Sequence, residues 1–432
     1  MIKFLKNIFF IALMSSCFSA VAQSTSSSPY SAFGIGNVRG SSLPQNRSMG
    51  GISAGLRRAG IYSDLNISNP ASYSAITLTT FDIGASGTFT NLSKNSLSQK
   101  GFDAALSHIA FGVPVSKKSA LSFGLLPYSD FGYSFRSNDK MNDTTSVDYL
   151  YRGEGGVSKV YLGYGFQIGK HLSLGLNASY LFGKLSRIRG AEFPADLGAL
   201  SSKEENSTSV GGFNYEYGVQ YFTNISPKTQ LTIGYSGSAK TKINSSNKTV
   251  IANYRVIDNE GNETTALDTL FNIEGAKSKI TVPGNHTFGF TLSQANHWTV
   301  GADLLLNNWS DYREGNTNPD FQNSVGIAVG AQIIPDVSAV SNYLKLIDYR
   351  LGFKYDKTYL NLQNTDIKQK SVTVGLGLPL PSNRANSFYK INIAAELGQR
   401  GTLENNLIRE RFVNIYLGFT LNDRWFQKVK FD

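Results

Sequence analysis

Along most of the chain apolar and polar residues alternate one by one, the two-residue period of a strand with one face in an apolar medium. From His171 to Gly183, Leu172, Leu174, Leu176, Ala178, Tyr180 and Phe182 fall on one face and Ser173, Gly175, Asn177 and Ser179 on the other. Phe213, Tyr215, Tyr217, Val219 and Tyr221 stand opposite Asn214, Glu216, Gly218 and Gln220. Near the end, Val413, Ile415, Leu417, Phe419 and Leu421 alternate with Asn414, Tyr416, Gly418 and Thr420. The pattern predicts fourteen strands, near 78–91, 103–114, 119–136, 156–168, 171–185, 208–225, 229–242, 278–293, 297–310, 324–334, 345–357, 366–380, 387–398 and 409–421. Most are longer than the roughly 5–6 residues of a soluble strand and match the roughly 9–11 that cross a bilayer at a tilt.

The connections alternate in length. After even-numbered strands they are mostly short, as at Ser116-Lys117-Lys118, Gly169-Lys170 and Ser226-Pro227-Lys228; after odd-numbered strands they are mostly long, near 186–207, 243–277 and 311–323. In lipid every backbone amide needs a partner, so a sheet there must close. The expected fold is therefore all-β: a transmembrane antiparallel up-and-down β-barrel of about 14 strands over 78–421, with periplasmic turns and external loops. A longer link near 335–344, with Pro335-Asp336, breaks the rhythm and is expected to hold a small periplasmic helix.

The two ends read differently. Lys3 and Lys6, the apolar run Ile8–Met14 and the small residues Ala20-Val21-Ala22 make residues 1–22 a signal peptide, cleaved before Gln23. Cys17 is the single cysteine, so the exported chain is expected to lack thiol chemistry. Residues 23–77 are rich in Ser, Gly and Asn and show no period, whereas 422–432 form a short tail with Arg424, Lys428 and Lys430, expected to be periplasmic.

Composition narrows the class. With 41% hydrophobic residues the chain does not stay solvated as a disordered one would. A mean hydropathy of -0.19 excludes a helical membrane bundle, which needs apolar runs of about 18 residues. The formal charge of +10 is spread without a basic cluster, so nucleic acid is not an expected partner. Outer-membrane lipid and lipopolysaccharide are.

Arg47-Ser48-Met49-Gly50-Gly51, then Asn66 to Tyr73 with its Asn69-Pro70-Ala71 turn, resemble the start of the FadL family of outer-membrane transporters for hydrophobic compounds. Ser28-Pro29-Tyr30-Ser31-Ala32-Phe33-Gly34-Ile35-Gly36, Tyr349 to Phe353, Gly375 to Leu380 and the ending Asn422 to Asp432 resemble its Bacteroidota branch. The resemblance implies that residues 23–77 form a plug inside the lumen. It also implies a side opening where the third strand is kinked. Pro127 and Gly132 lie in that strand; proline cannot donate to a ladder and glycine often marks a bulge, so they are the expected place for such an opening, or for a bulge that merely bends the sheet.

Candidate chemistry is sparse. His108, Glu216, Asp303, Asp348, Arg350, Lys354, Lys390 and Glu396 have lumen-facing parity. They either line a polar path or pair with one another and with Arg57 and Arg58, since unpaired buried charge is costly. The four histidines form no metal pair, no nucleophile elbow precedes a helix, and the spaced glycines at Gly163-Tyr164-Gly165 and Gly375-Leu376-Gly377 lie on strands. No enzyme, cofactor or metal is expected. Asp143-Thr144-Thr145 and Asp268-Thr269-Leu270, placed in external loops, match a short O-glycosylation pattern. Two functions follow. One is a barrel that binds and passes hydrophobic, fatty-acid-like molecules. The other is a non-transporting barrel that serves as a subunit of a protein export, assembly or attachment complex. A transporter needs an internal apolar pocket; a scaffold needs contact faces on its outside.

Overall fold

In a computed structural model, residues 28–57, 63–140, 146–193, 199–255, 264–381 and 387–425 are described. The signal peptide, Arg58 and Asp143-Thr144-Thr145 lie outside these residues. Fourteen antiparallel wall strands run in chain order, each hydrogen-bonded to the next. They are β1 (Thr79–Lys94), β2 (Leu97–Ser116), β3 (Ser119–Asp130 and Tyr133–Lys140), β4 (Ser146–Ile168) and β5 (Leu172–Glu192). There follow β6 (Ser201–Asn224), β7 (Thr229–Ser238 and Thr241–Tyr254), β8 (Asp268–Val282 and Asn285–Gln294), β9 (Trp298–Asn307) and β10 (Ser324–Ile333). β11 (Asp348–Leu362), β12 (Thr365–Leu380), β13 (Phe388–Arg400) and β14 (Arg409–Asp423) complete the wall. β14 pairs back onto β1 from Arg409–Ser93 to Asp423–Thr79, and this seam closes the barrel.

The alternating residues define its outside. Leu176, Tyr180, Phe182, Phe213, Tyr215, Tyr221, Ile415 and Leu417 are exposed, while their neighbours Ser173, Asn177, Ser179 and Gln220 are buried on the inner face. An exposed apolar belt over a buried polar interior is the inverse of a soluble sheet and suits a lipid-facing wall.

Strand ends depart from the sequence reading at the end away from the short turns. The stretch 186–207, expected as a loop, is mostly strand: β5 runs to Glu192 and β6 starts at Ser201. Likewise β7 reaches Tyr254 and β8 begins at Asp268, so Asp268-Thr269-Leu270 is strand and not loop. The reason lies in side chains such as Ser201-Ser202-Lys203-Glu204-Glu205, polar on both faces. Beyond the belt neither face meets lipid, so the alternation vanishes while the ladder continues. β3 to β8 therefore stand above the rest as a tall sheet, whereas β9 and β10 hold only 10 residues each. Within the link 335–344 and just past it, the expected helix is reduced to a 3-10 turn, Tyr343–Lys345. The strand expected at 297–310 stops at Asn307 because Trp309–Asp311 form another such turn.

Candidate functional site

The inner face of the wall meets the chain's own N-terminal residues. The helix α1 (Pro44–Arg47) and the 3-10 turn Pro70–Ala75 pack there. Pro70 opens its turn, where a missing N–H costs nothing. The Asn69 side chain accepts from the Ala71 N–H (3.1 Å) and donates to the Ala54 carbonyl (2.7 Å). Asn69, Pro70 and Ala71 thus tie two parts of the segment together and press it onto the wall. A Cβ on Gly175 of β5 would stand 2.2 Å from the Pro70 carbonyl carbon, and one on Gly330 of β10 would stand 2.2 Å from the Met49 carbonyl oxygen. Only a residue without a side chain permits either approach.

The lumen charges sit in separate groups. Asp303 of β9 is buried, and one of its oxygens accepts from the N–H groups of Ser53 (2.6 Å) and Ala54 (3.0 Å). Glu216 of β6 pairs with Lys159 of β4 at 2.7 Å, and that lysine is 1% exposed. Near the short turns, Asp348 is shared by Arg350 (2.5 Å) and Lys390 (2.9 Å), while Arg350 also donates to Gln332 and Asn392. Lys354 meets Asp356 at 2.8 Å, and Glu396 accepts from Asn414 and Tyr416. His108 Nε2 lies 2.7 Å from Asp82 Oδ1. These residues form no single constellation.

Arg57 does not serve the lumen carboxylates as the sequence reading allowed. It donates to Ser74, Ser173 and Gln167 and lies over the Phe222 ring at 4.1 Å. A guanidinium needs acceptors, and neutral oxygens supply them here. Among the described residues no group of His, Cys, Asp and Glu is placed to hold a metal ion.

A cavity of about 410 Å³ remains beside the N-terminal segment. Its lining is charged: Arg39, Arg47, Lys354 and Arg400 face six carboxylates, among them Asp103, Asp130 and Glu216. Four positive against six negative groups leave it net acidic. Aromatic side chains border it, with Trp309 stacked on Tyr359 at 3.9 Å between centroids.

The wall is broken beside this cavity. β2 and β3 pair from Ser116–Ser119 only as far as Ile109–Leu125. Pro127 keeps its place opposite Ser158 of β4, with a bulge between Pro127 and Ser129. Gly132 lies in the gap between the two halves of β3 and is buried. Along the β3 edge that β2 has left, residues 31–39 take over. Asn37 pairs with Asp130 and Val38 with Ser129, the Arg39 N–H donates to the Tyr128 carbonyl (2.8 Å), and the Gly132 N–H donates to Ser31 Oγ (3.0 Å). Arg39 then joins Asp130 of β3 and, at 3.7 Å, Asp103 of β2. Alternation gave no sign of Arg39, which sits in the segment without period. Lys159 carried one: it shares the inward parity of Val157 and Tyr161, opposite Val160 and Leu162.

The toluene transporter TodX of Pseudomonas putida has a similar fold, with 16% identity, TM-score 0.59, and coverage of 90% of this chain and 100% of that one. A FadL homologue of Pseudomonas aeruginosa gives 12%, 0.58, 90% and 100%. The toluene transporter TbuX of Ralstonia pickettii gives 15%, 0.54, 88% and 98%. At such identities the likeness carries the fold alone. No curated protein matches this chain. The family model described as BamG matches residues 1–432 from end to end, and the chain belongs to that family.

Proposed function

We propose that this protein is an outer-membrane barrel, with its short turns and both termini in the periplasm, that acts as a subunit of a larger complex for protein assembly, export or surface attachment. One observation carries this reading: the tall sheet ends in a bare strand with apolar side chains far from lipid. From Asp268 to Lys277, β8 is hydrogen-bonded to β7 alone among the described residues. Leu270, Phe271 and Ile273 on it are each about half exposed, at 57%, 45% and 47%. Ile273 lies 21 residues along the chain from Gln294 at the short-turn end. At about 3.4 Å per residue and a tilt of about 40° that is roughly 50 Å, about twice the height of the apolar band of such barrels. Lipid therefore does not explain these side chains. An open edge with apolar neighbours favours pairing with another chain. The inner face supports the reading: the chain's own residues pack on it, and the cavity of about 410 Å³ beside them is charged.

Purification from native membranes in mild detergent, with co-purifying proteins and lipids identified by mass spectrometry, tests this. A partner present in comparable amount should be lost from Phe271→Asp with Ile273→Asp, while the amount of folded barrel stays the same. A wild-type protein that purifies alone would overturn the reading.

The wall break favours a second function, passage of hydrophobic small molecules. Pro127→Val with Gly132→Val supplies better strand residues and should close a lateral route. Uptake of a hydrophobic probe should then fall with the barrel still folded; unchanged uptake removes this route.

A further inference from the structure

We infer that residues 37–39 form a removable wall strand and that Arg39 is the latch that holds it shut. The seam they fill is the weakest in the barrel. β1 and β14 share an unbroken ladder from end to end, yet at the break β3 has as its new neighbour a strand of two residues, Asn37–Val38. That strand has no ladder on its other side: no pairing joins it to β2 among the described residues. The connection to β2 is made by a side chain. Arg39 reaches Asp103 on β2 while holding Asp130 on β3, and it also donates to Ser86 of β1 at 3.3 Å. One guanidinium therefore touches three wall strands, two of which, β2 and β3, share no backbone pairing at this level. Arginine suits this task, because its fork of donors serves several acceptors at once.

Arg39, Asp103 and Asp130 also line the cavity. The latch thus stands between the cavity and the gap in the wall. With Arg39 in place the gap is closed from within by a piece of the chain's own N-terminus. Without it, the two-residue ladder, the backbone bond of Arg39 to Tyr128 and the Arg400 side chain of β13 on Asn37 (2.7 Å) are left to hold the strand, and none of these ties it to β2. The inference concerns the state of the wall and rests on neither functional reading above.

Ser129 supplies the reporter. It lies against this strand and is 2% exposed, with its hydroxyl donating to the Ile35 carbonyl. In a Cys17→Ser background, a cysteine placed by Ser129→Cys can be labelled with a maleimide only when the strand lifts. Labelling of the full-length protein in detergent should quicken at least about tenfold on adding Arg39→Ala, the factor that follows from losing about 1.4 kcal/mol. Arg39→Lys keeps the charge and should fall between. Asp103→Asn cuts only the tie to β2 and should quicken labelling in the same direction, which guards against a misfolded Arg39→Ala. Heat-modifiable migration on gels confirms a closed barrel in each case. Labelling within twofold of the parent in both Arg39→Ala and Asp103→Asn would overturn the latch.

Discussion

Asp303→Ala should loosen the N-terminal segment without opening the barrel. In the structure one Asp303 oxygen accepts from two backbone N–H groups, those of Ser53 and Ala54, and from the Ser53 hydroxyl at 3.3 Å. Removing the carboxylate leaves two buried donors without an acceptor, at about 1–3 kcal/mol each. A local loss of about 4 kcal/mol is the central value, equivalent to roughly a thousandfold rise in the open population at about 1.4 kcal/mol per tenfold. Hydrogen exchange read by mass spectrometry should show it in peptides covering residues 49–56. The β1–β14 seam should keep its protection, because its ladder does not touch Asp303. Asp303→Asn retains one acceptor oxygen and should produce a smaller effect in the same peptides. If peptides 49–56 exchange at the wild-type rate in Asp303→Ala, the carboxylate is not the anchor its geometry makes it. If the seam exchanges faster as well, segment and wall form one cooperative unit and the local reasoning fails.

Gly175→Val places a side chain where the Pro70 carbonyl carbon now lies 2.2 Å from the Cβ position, so the turn has to move. The barrel should still migrate as heat-modifiable, with faster tryptic cleavage at Arg47 or Arg57 as the sign of displacement. Lys159→Met strands the Glu216 carboxylate in a largely buried place and should destabilise by about 3–5 kcal/mol. Adding Glu216→Leu should restore much of that in denaturant midpoints; a double variant worse than the single would refute the pairing.

The membrane-level wall was legible because lipid imposes a strict pattern. Phe213, Tyr215 and Tyr221 face it, so their parity fixes β6. Above the belt both faces of the sheet are wet and the pattern stops, which is why the outer halves of β5 to β8 read as loops. The kink was half legible. Pro127 and Gly132 marked the region, but proline remains in the β4 ladder and the gap falls at Phe131 and Gly132. What fills the gap was not legible, since the pairing of Asn37 with Asp130 spans distant parts of the chain and leaves no local period. The partners of the charges with lumen-facing parity followed no rule of spacing. Asp303 chose backbone amides of the N-terminal segment, and Glu216 chose a lysine from two strands away.

The seam between the last strand and the first has a consequence for how the protein is made. β1 begins at Thr79, immediately after the N-terminal segment, and its second neighbour is β14, the last strand of the wall. Among the described residues no pairing in the wall joins positions farther apart in sequence, so its loop-closure cost is the largest and it forms late. Until it forms, the sheet is open and the segment can still be laid onto the glycines of the wall. Afterwards it is surrounded by the wall strands, except where residues 31–39 themselves fill the break beside β3. Order of events is thus written into connectivity: the contents must be packed before the container is sealed. A chain cut short before Arg409 would keep the parts for the inner contacts but lack the strand that encloses them.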